Sequence, residues 1–250
     1  MQISAVIITY NEEAKIADAI RSVAFADEVL LVDSESTDKT REIAQDLGAR
    51  VIVRPWPGFA LQKQFATDEA KYDRILSVDA DERVTDALRD EIVSIKEERK
   101  PADAYSIPRL ALYMGREIRH SGWYPDRQIR FFDRTRARWK QVPIHESVEA
   151  LPGATIGRLH NDLLHLTVDS PREHLYMIRT RYAPMSATAM NEAGRKGSLV
   201  NAYLLPPVTF LQSYVLKAGF LDGFAGLRIS RYAAYNVHLK HKLLREMQKK

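Results

Sequence analysis

Apolar positions in the first hundred residues alternate between short dense runs and helically spaced sets. Residues 3–9, Ile-Ser-Ala-Val-Ile-Ile-Thr, form a β-branched run that predicts a strand. Ile16, Ala19, Ile20 and Val23 then fall at i, i+3, i+4 and i+7, one face of a helix that Asn11 can cap. Residues 28–32 predict a second strand. Ile43, Ala44 and Leu47 predict a second helix, opened by Ser36 or Thr37 and followed by Gly48 at the C′ position. Residues 50–54 and 74–78 predict a third and a fourth strand, and Thr85 opens a helix with Leu88, Ile92 and Ile95 on one side. Strands alternating with helices predict an α/β fold with a mostly parallel sheet and right-handed crossovers.

In such a sheet, ligands bind beyond the carboxyl ends of the strands. Strand one ends in Thr9-Tyr10-Asn11-Glu12, strand two in Asp33-Ser34-Glu35-Ser36-Thr37-Asp38, and strand four in Asp79-Ala80-Asp81-Glu82. The topology gathers Asp33, Asp79 and Asp81 along one rim. Carboxylates so close repel unless a cation sits among them, and Mg2+ or Mn2+ takes oxygen ligands and bridges to phosphates. Residues 1–100 hold only Gly48 and Gly58, so neither a G-x-G-x-x-G nor a Walker loop is present. A nucleotide bound here would have its phosphates neutralised by metal carboxylates, with Lys63 and Arg54 as possible helpers.

Composition narrows the classes. The 250 residues are 45% hydrophobic and 28% charged, enough for a sizeable core and against wholesale disorder. There is no cysteine, which excludes disulfides, thiolate zinc sites and cysteine nucleophiles. The N-terminus has no basic segment before its apolar run, and no uninterrupted apolar stretch reaches membrane-spanning length, so neither a signal peptide nor a spanning helix is expected. Charge is uneven: residues 1–100 carry 14 Lys and Arg against 21 Asp and Glu, a net of −7, and residues 101–250 carry 23 against 12, a net of +11. The basic part favours an anionic partner, whether phosphate, nucleic acid or membrane surface.

The set Thr9-Tyr10-Asn11-Glu12, Asp33-Ser34-x-Ser36-x-Asp38-x-Thr40 and Asp79-x-Asp81-Glu82 resembles the family-two glycosyltransferases, which have the GT-A fold. Three motifs in order, each at the end of a predicted strand, carry this likeness over about residues 1–180. The segments His120-x-Gly122-Trp123-x-Pro125-x-Arg127, Arg130-Phe131-Phe132, His145-Glu146 and Pro206 to Gly223 are similar to enzymes that add a sugar to the lipopolysaccharide inner core. The resemblance implies a nucleotide pocket lined by Thr9, Asn11 and Glu12, with Asp33 on the uridine, Ser34 or Ser36 supporting that loop, and Lys63 towards the donor. It implies Asp79 on the ribose or metal, Asp81 as metal ligand, and Glu146 as general base, although many members carry the base in a Glu-Asp pair and this chain has His145-Glu146. The implied reaction is inverting transfer from a nucleotide sugar, UDP-glucose being the first donor to test, onto a lipopolysaccharide core or similar anionic glycolipid. A polyprenyl-phosphate acceptor, or a non-catalytic nucleotide-sugar-binding protein at the membrane, is the alternative. A nucleic-acid partner is not expected, because no recognisable binding module accompanies the basic part.

His165 ends a strand-like stretch and can reach the metal or diphosphate. Trp123 and Tyr124 can stack on a sugar or fill a core, and Arg127 and Arg130 can hold acceptor phosphates, with His145 beside them. Between Arg109 and Lys140 nine basic residues face three acidic ones. The division expected is a nucleotide-sugar half at 1–105, an acceptor half at 106–180 and a helical extension at 181–250. In the extension, residues 199–227 are apolar and broken by Pro206-Pro207, and residues 228–250 hold seven basic residues and one acidic. That order reads as a segment lying on a membrane surface, which with the resemblance implies the cytoplasmic face of an inner membrane.

Overall fold

The computed structural model describes residues 1–140 and 146–249. In chain order the elements are β1 (Ile3–Thr9), α1 (Ile16–Ser22), β2 (Glu28–Asp33), α2 (Thr40–Asp46), β3 (Arg50–Val53), α3 (Phe59–Glu69), β4 (Arg74–Asp79), β5 (Glu82–Val84) and α4 (Asp86–Lys96). There follow β6 (Ala104–Tyr113), β7 (Arg116–Ile118), β8 (Asp126–Asp133), β9 (Ala137–Trp139), β10 (Val148–Ala150), β11 (Ile156–Arg158) and β12 (Leu163–Val168). The chain closes with α5 (Pro171–Met177), α6 (Ala183–Glu192), α7 (Leu199–Leu211) and α8 (Gly223–Met247). The chain forms two compact units, residues 1–109 with 126–165, and residues 110–125 with 166–250. Residues 106–180 are shared between the two units.

In the first unit, β3, β2, β1 and β4 lie side by side and all run parallel. The β1 run is buried at every position because it is covered on both faces. Ile3, Ala5 and Ile7 pack with α1, α2 and α4, and Val6 and Ile8 pack on the other side with Ala66 of α3 and Trp139. β8 joins β4 antiparallel and β6 joins β8 antiparallel, so parallel pairing ends at β4 on this side. Thr85 caps α4 by accepting from the Leu88 amide, as its spacing predicts.

Two predicted caps are corrected. Asn11 does not cap α1, and neither Ser36 nor Thr37 caps α2; Asp38 Oδ1 accepts from the first amide of α2, that of Thr40, at 3.0 Å. Asn11 instead sits at φ 52°, and its Oδ1 accepts from the Thr37 amide at 2.8 Å, which ties the two loops together. Ser36 is likewise occupied in the loop rather than at a helix start.

The second unit buries Tyr113, Ile118, Val168, Ala225 and Ile229. Here too an expectation is corrected: Pro206-Pro207 lie inside α7 and do not break it, and a π turn, Gln212–Leu216, extends it. The amide that Pro206 lacks would have donated to the Ala202 carbonyl. His238 Nδ1 of α8 sits 2.8 Å from that oxygen and donates in its place.

Candidate functional site

The parallel register brings the motif ends together: Thr9 pairs with Asp33, and Ile8 with Asp79. Asp33 is completely buried. Its carboxylate accepts from the Ser36 amide at 2.8 Å and from the Ser36 hydroxyl. Ser36 Oγ accepts from the Asn11 amide, and Thr40 Oγ1 accepts from the Glu12 amide, each at 2.8 Å. Ser34 Oγ accepts from Gln62 Nε2 at 3.1 Å. The first two motifs thus lace the β1–α1 and β2–α2 loops into one platform. Asp33 and Ser34, expected at the nucleotide, lie beneath that platform, and Asn11 and Glu12 stand nearer its surface.

The third motif is built on alternating charge. Lys63 of α3, 3% exposed, holds Asp79 Oδ1 at 2.9 Å and Glu146 Oε1 at 3.3 Å. Arg130 Nη2 donates to Asp79 Oδ2 at 2.9 Å and to Glu82 Oε1 at 3.0 Å. Glu82 is fully buried and also accepts from the Asp79 amide at 2.9 Å and from Arg109 at 3.2 Å. Arg109 in turn pairs with Asp126, its partner across β6 and β8. Burial alone would raise the Asp79 pKa, but Arg130 and Lys63 outweigh it and hold the carboxyl well below the usual carboxylate range. Burial would lower the Arg130 pKa, and Asp79 with Glu82 raises it instead. Trp139 supplies an aromatic wall, 5.0 Å from Lys63 Nζ and 5.9 Å from the Arg130 guanidinium.

Arg130 was expected to face an acceptor. It is 4% exposed and engaged through Nη2 with Asp79 and Glu82, in the inner charge network. The basic stretch as a whole is mostly neutralised. Arg134 pairs with Asp73, Arg136 with Asp103, Arg138 with Glu149 and Arg119 with Glu117. Arg127 donates to the Leu159 carbonyl at 3.0 Å. Trp123 belongs to the second unit, where it packs edge-on against Tyr113 at 5.8 Å, so of its two readings the structure places it against a core. Tyr124 in that unit lies under Arg119, 5.3 Å from the guanidinium. His145 lies outside the described residues.

Asp81 Oδ2 and His165 Nε2 stand 3.4 Å apart, because the β5–β12 register sets His165 opposite Glu82, next to Asp81 in the chain. Both are partly exposed. Among the described residues, no three His, Asp or Glu side chains gather closely enough to hold an ion unaided. One carboxylate oxygen and one imidazole nitrogen do fit an ion that completes its shell with diphosphate oxygens. Lys63 and Arg130 both donate to Asp79 Oδ2, and Oδ1 is buried with no hydrogen-bond partner among the described residues, 2.9 Å from Lys63 Nζ. Glu12 adds charge nearby: burial raises its pKa, and Asp81 and Asp38 push the same way against Lys15 and Arg83.

Several polar atoms at this rim are buried with no protein partner among the described residues: Thr9 Oγ1, Gln62 Oε1, and Nε and Nη1 of Arg130. Such atoms gathered at one strand end mark a place for a ligand or for water. Glu82, Arg109, Asp126 and Trp139 join this site without having been expected there. Glu82 stood in the third motif, but no local pattern points to the others, which arrive from separate strands.

The model of glycosyl transferase family 2 matches residues 4–153. The chain belongs to that family. It is 33% identical to an uncharacterized glycosyltransferase of Rickettsia typhi over 100% of this chain and 88% of the relative. It is 26% identical to the lipopolysaccharide core biosynthesis glycosyltransferase LpsC of Rhizobium meliloti, over 97% of this chain and 94% of LpsC. The solved structure of S. aureus TarS 1–349 in complex with UDP-GlcNAc shares the fold, with a TM-score of 0.51 and 15% identity over 97% of this chain and 92% of that one. The family-two glycosyltransferase described here therefore has the expected GT-A architecture, and its motif-bearing rim faces the carboxyl ends of β1, β2 and β4.

Proposed function

We propose that this enzyme transfers a sugar from a UDP-sugar, with UDP-glucose the first to test, onto a lipopolysaccharide core or similar anionic glycolipid. The observation that carries this reading is the pairing of Asp81 with His165 at 3.4 Å on the rim that also holds Glu146 against Lys63. Asp81 and His165 would hold Mg2+ or Mn2+, which when bound supplies positive charge for the departing diphosphate. Thr9, Asn11 and Glu12 would meet the nucleotide at the platform. Arg130 and Lys63 fix Asp79 and keep the rim rigid before substrate arrives.

Glu146 takes the proton from the acceptor hydroxyl. The freed oxygen pair forms the new bond to the anomeric carbon from the face opposite UDP. The old carbon–oxygen bond breaks, and its electrons leave with UDP. One displacement inverts the centre and needs no covalent enzyme intermediate.

The acceptor class rests on the likeness to LpsC, since ion pairs within the chain occupy much of the basic stretch between Arg109 and Lys140. A glycolipid acceptor would place the enzyme on a membrane, on its cytoplasmic face where UDP-sugars are available. Calorimetric titration of UDP with Mn2+, with Mg2+ and with EDTA, beside Asp81→Ala, tests the donor half. Metal-dependent binding that Asp81→Ala abolishes is expected; no binding under any condition would overturn the reading. Product analysis with UDP-glucose and truncated core glycolipid then tests the acceptor.

A further inference from the structure

The second unit contains a helix packed inside out. Over Leu199–Leu216 the buried residues are Ala202 and Ser213. The large side chains point outward: Val200, Leu204, Val208, Leu211, Val215 and Leu216 are between 50 and 80% exposed. Phe220, Leu221 and Phe224 continue the surface beyond the helix end, at 50, 58 and 67%. A helix made for water does the reverse. The inner contacts use small groups. Ser230 Oγ donates to Ser213 Oγ at 3.0 Å, and a Cβ built on Gly226 would lie 1.8 Å from the Gly219 carbonyl oxygen. Small residues at the helix contact with large apolar ones outside is how helices pack in hydrocarbon. A continuous apolar surface of this kind is an interaction site.

Charge indicates the occupant. Leu199–Leu216 contains no Asp, Glu, Lys or Arg, while Arg195 and Lys196 precede it and Lys217 follows it. All three cations are exposed. An apolar row with cations at both ends complements a bilayer surface with anionic headgroups. Pairing with a second copy would set cations against cations in either orientation.

The way the row meets the bilayer also follows. At 18 residues it is ~27 Å long, enough to cross by length alone. But α8 runs beside it in the opposite direction, with His238 on Ala202 and Ser230 on Ser213. The longest charge-free stretch of α8 is Tyr232–Leu239, ~12 Å between Arg231 and Lys240. Crossing would drag those cations into hydrocarbon, whereas lying in the interface leaves them among headgroups.

We propose that the outer face of Leu199–Leu216, with Phe220, Leu221 and Phe224, docks in the plane of an anionic lipid bilayer. Phe224 comes from the first turn of α8, and the rest of that basic helix is the inner partner of the docking helix. The inference deepens the membrane location that the glycolipid reading entails and rests on it for the choice of a membrane.

Flotation of the full chain with phosphatidylcholine vesicles, with and without about one-third phosphatidylglycerol, tests it. Wild type is expected to float with the anionic vesicles, and the double variant Leu204→Asp/Leu211→Asp to lose more than about tenfold of that binding. Val208→Trp, which keeps the face apolar, is expected to show fluorescence quenched by bromine-labelled acyl chains. Absence of vesicle binding, equal binding to neutral and anionic vesicles, or an unquenched Val208→Trp would overturn the proposal. So would a wild-type dimer, seen by light scattering, that the double variant dissociates; the face would then belong to a second copy. UDP and Mn2+ binding measured on the same samples separates the two readings: its loss in wild type strikes the donor reading, and intact UDP binding without lipid binding strikes this one.

Discussion

Lys63 and Glu146 meet at 3.3 Å, and the same ammonium stands 2.9 Å from Asp79. One buried cation from α3 thereby joins a carboxylate at the end of β4 to one that lies 83 residues further along the chain from Lys63. Lys63→Met leaves Asp79 with Arg130 alone and leaves Glu146 unanchored. The expected result is a transfer rate down by at least about 100-fold, with folding stability lower by about 1–3 kcal/mol. Lys63→Arg is expected to rescue little, because a planar fork does not fit where an ammonium bridges two carboxylates. Steady-state transfer assays and urea unfolding of both variants check this.

Glu146 and Asp81 should separate chemistry from donor binding. Glu146→Gln is expected to keep metal-dependent UDP binding and to lower transfer by about 100- to 10,000-fold. Asp81→Ala and His165→Ala are expected to lose the metal-dependent part of UDP binding first. Calorimetry and single-turnover kinetics on the three variants would distinguish the roles.

Arg130 is buried between Asp79 and Glu82, so its removal leaves two carboxylates short of their cation. Arg130→Met is expected to cost about 3–5 kcal/mol of folding stability. Adding Glu82→Gln to it should return part of that loss, since one buried charge disappears. Urea midpoints of the single and double variants measure the coupling.

His174 sits buried in the second unit, 2.9 Å from the Tyr113 hydroxyl. Burial lowers its pKa from 6.5 to about 4, and burial raises that of Tyr113 to about 12. Below pH 6.5 the unfolded chain takes up a proton that the folded chain refuses. Stability from His174 is therefore complete above pH 6.5 and is lost as pH falls to about 4, by about 3 kcal/mol in all. His174→Phe should flatten the acid side of the curve of urea midpoint against pH between 4 and 7.

His238 replaces the hydrogen bond that Pro206 denies the Ala202 carbonyl. His238→Phe keeps the ring contact with Tyr203 but leaves a buried acceptor unpaired. The expected cost is about 1–3 kcal/mol, seen as faster amide exchange through α7 than through β1.

Much of this protein is local and was legible in the chain. The continuous apolar run of β1, the i, i+3, i+4 sets of α1 and α4, the Thr85 cap and the Gly48 turn each depend on neighbours within a few residues. The three polar motifs at strand ends, with the parallel order that alternation implies, suffice to place Thr9, Asp33 and Asp79 on one rim and to suggest the family.

The tertiary structure decided what those residues touch. Asn11 and Ser36 have the chemistry of helix caps, but a partner loop from another strand claims them. Arg130 has the composition of a surface phosphate ligand, yet β8 pairs with β4 and carries it inside to Asp79 and Glu82. Lys63 finds Glu146, and Asp81 finds His165, only when distant strands align. Pro206 reads as a helix breaker until a histidine from α8 supplies the missing donor. Periodicity and propensity are short-range properties and can be read along the chain, whereas burial and charge pairing depend on which segments the fold brings together.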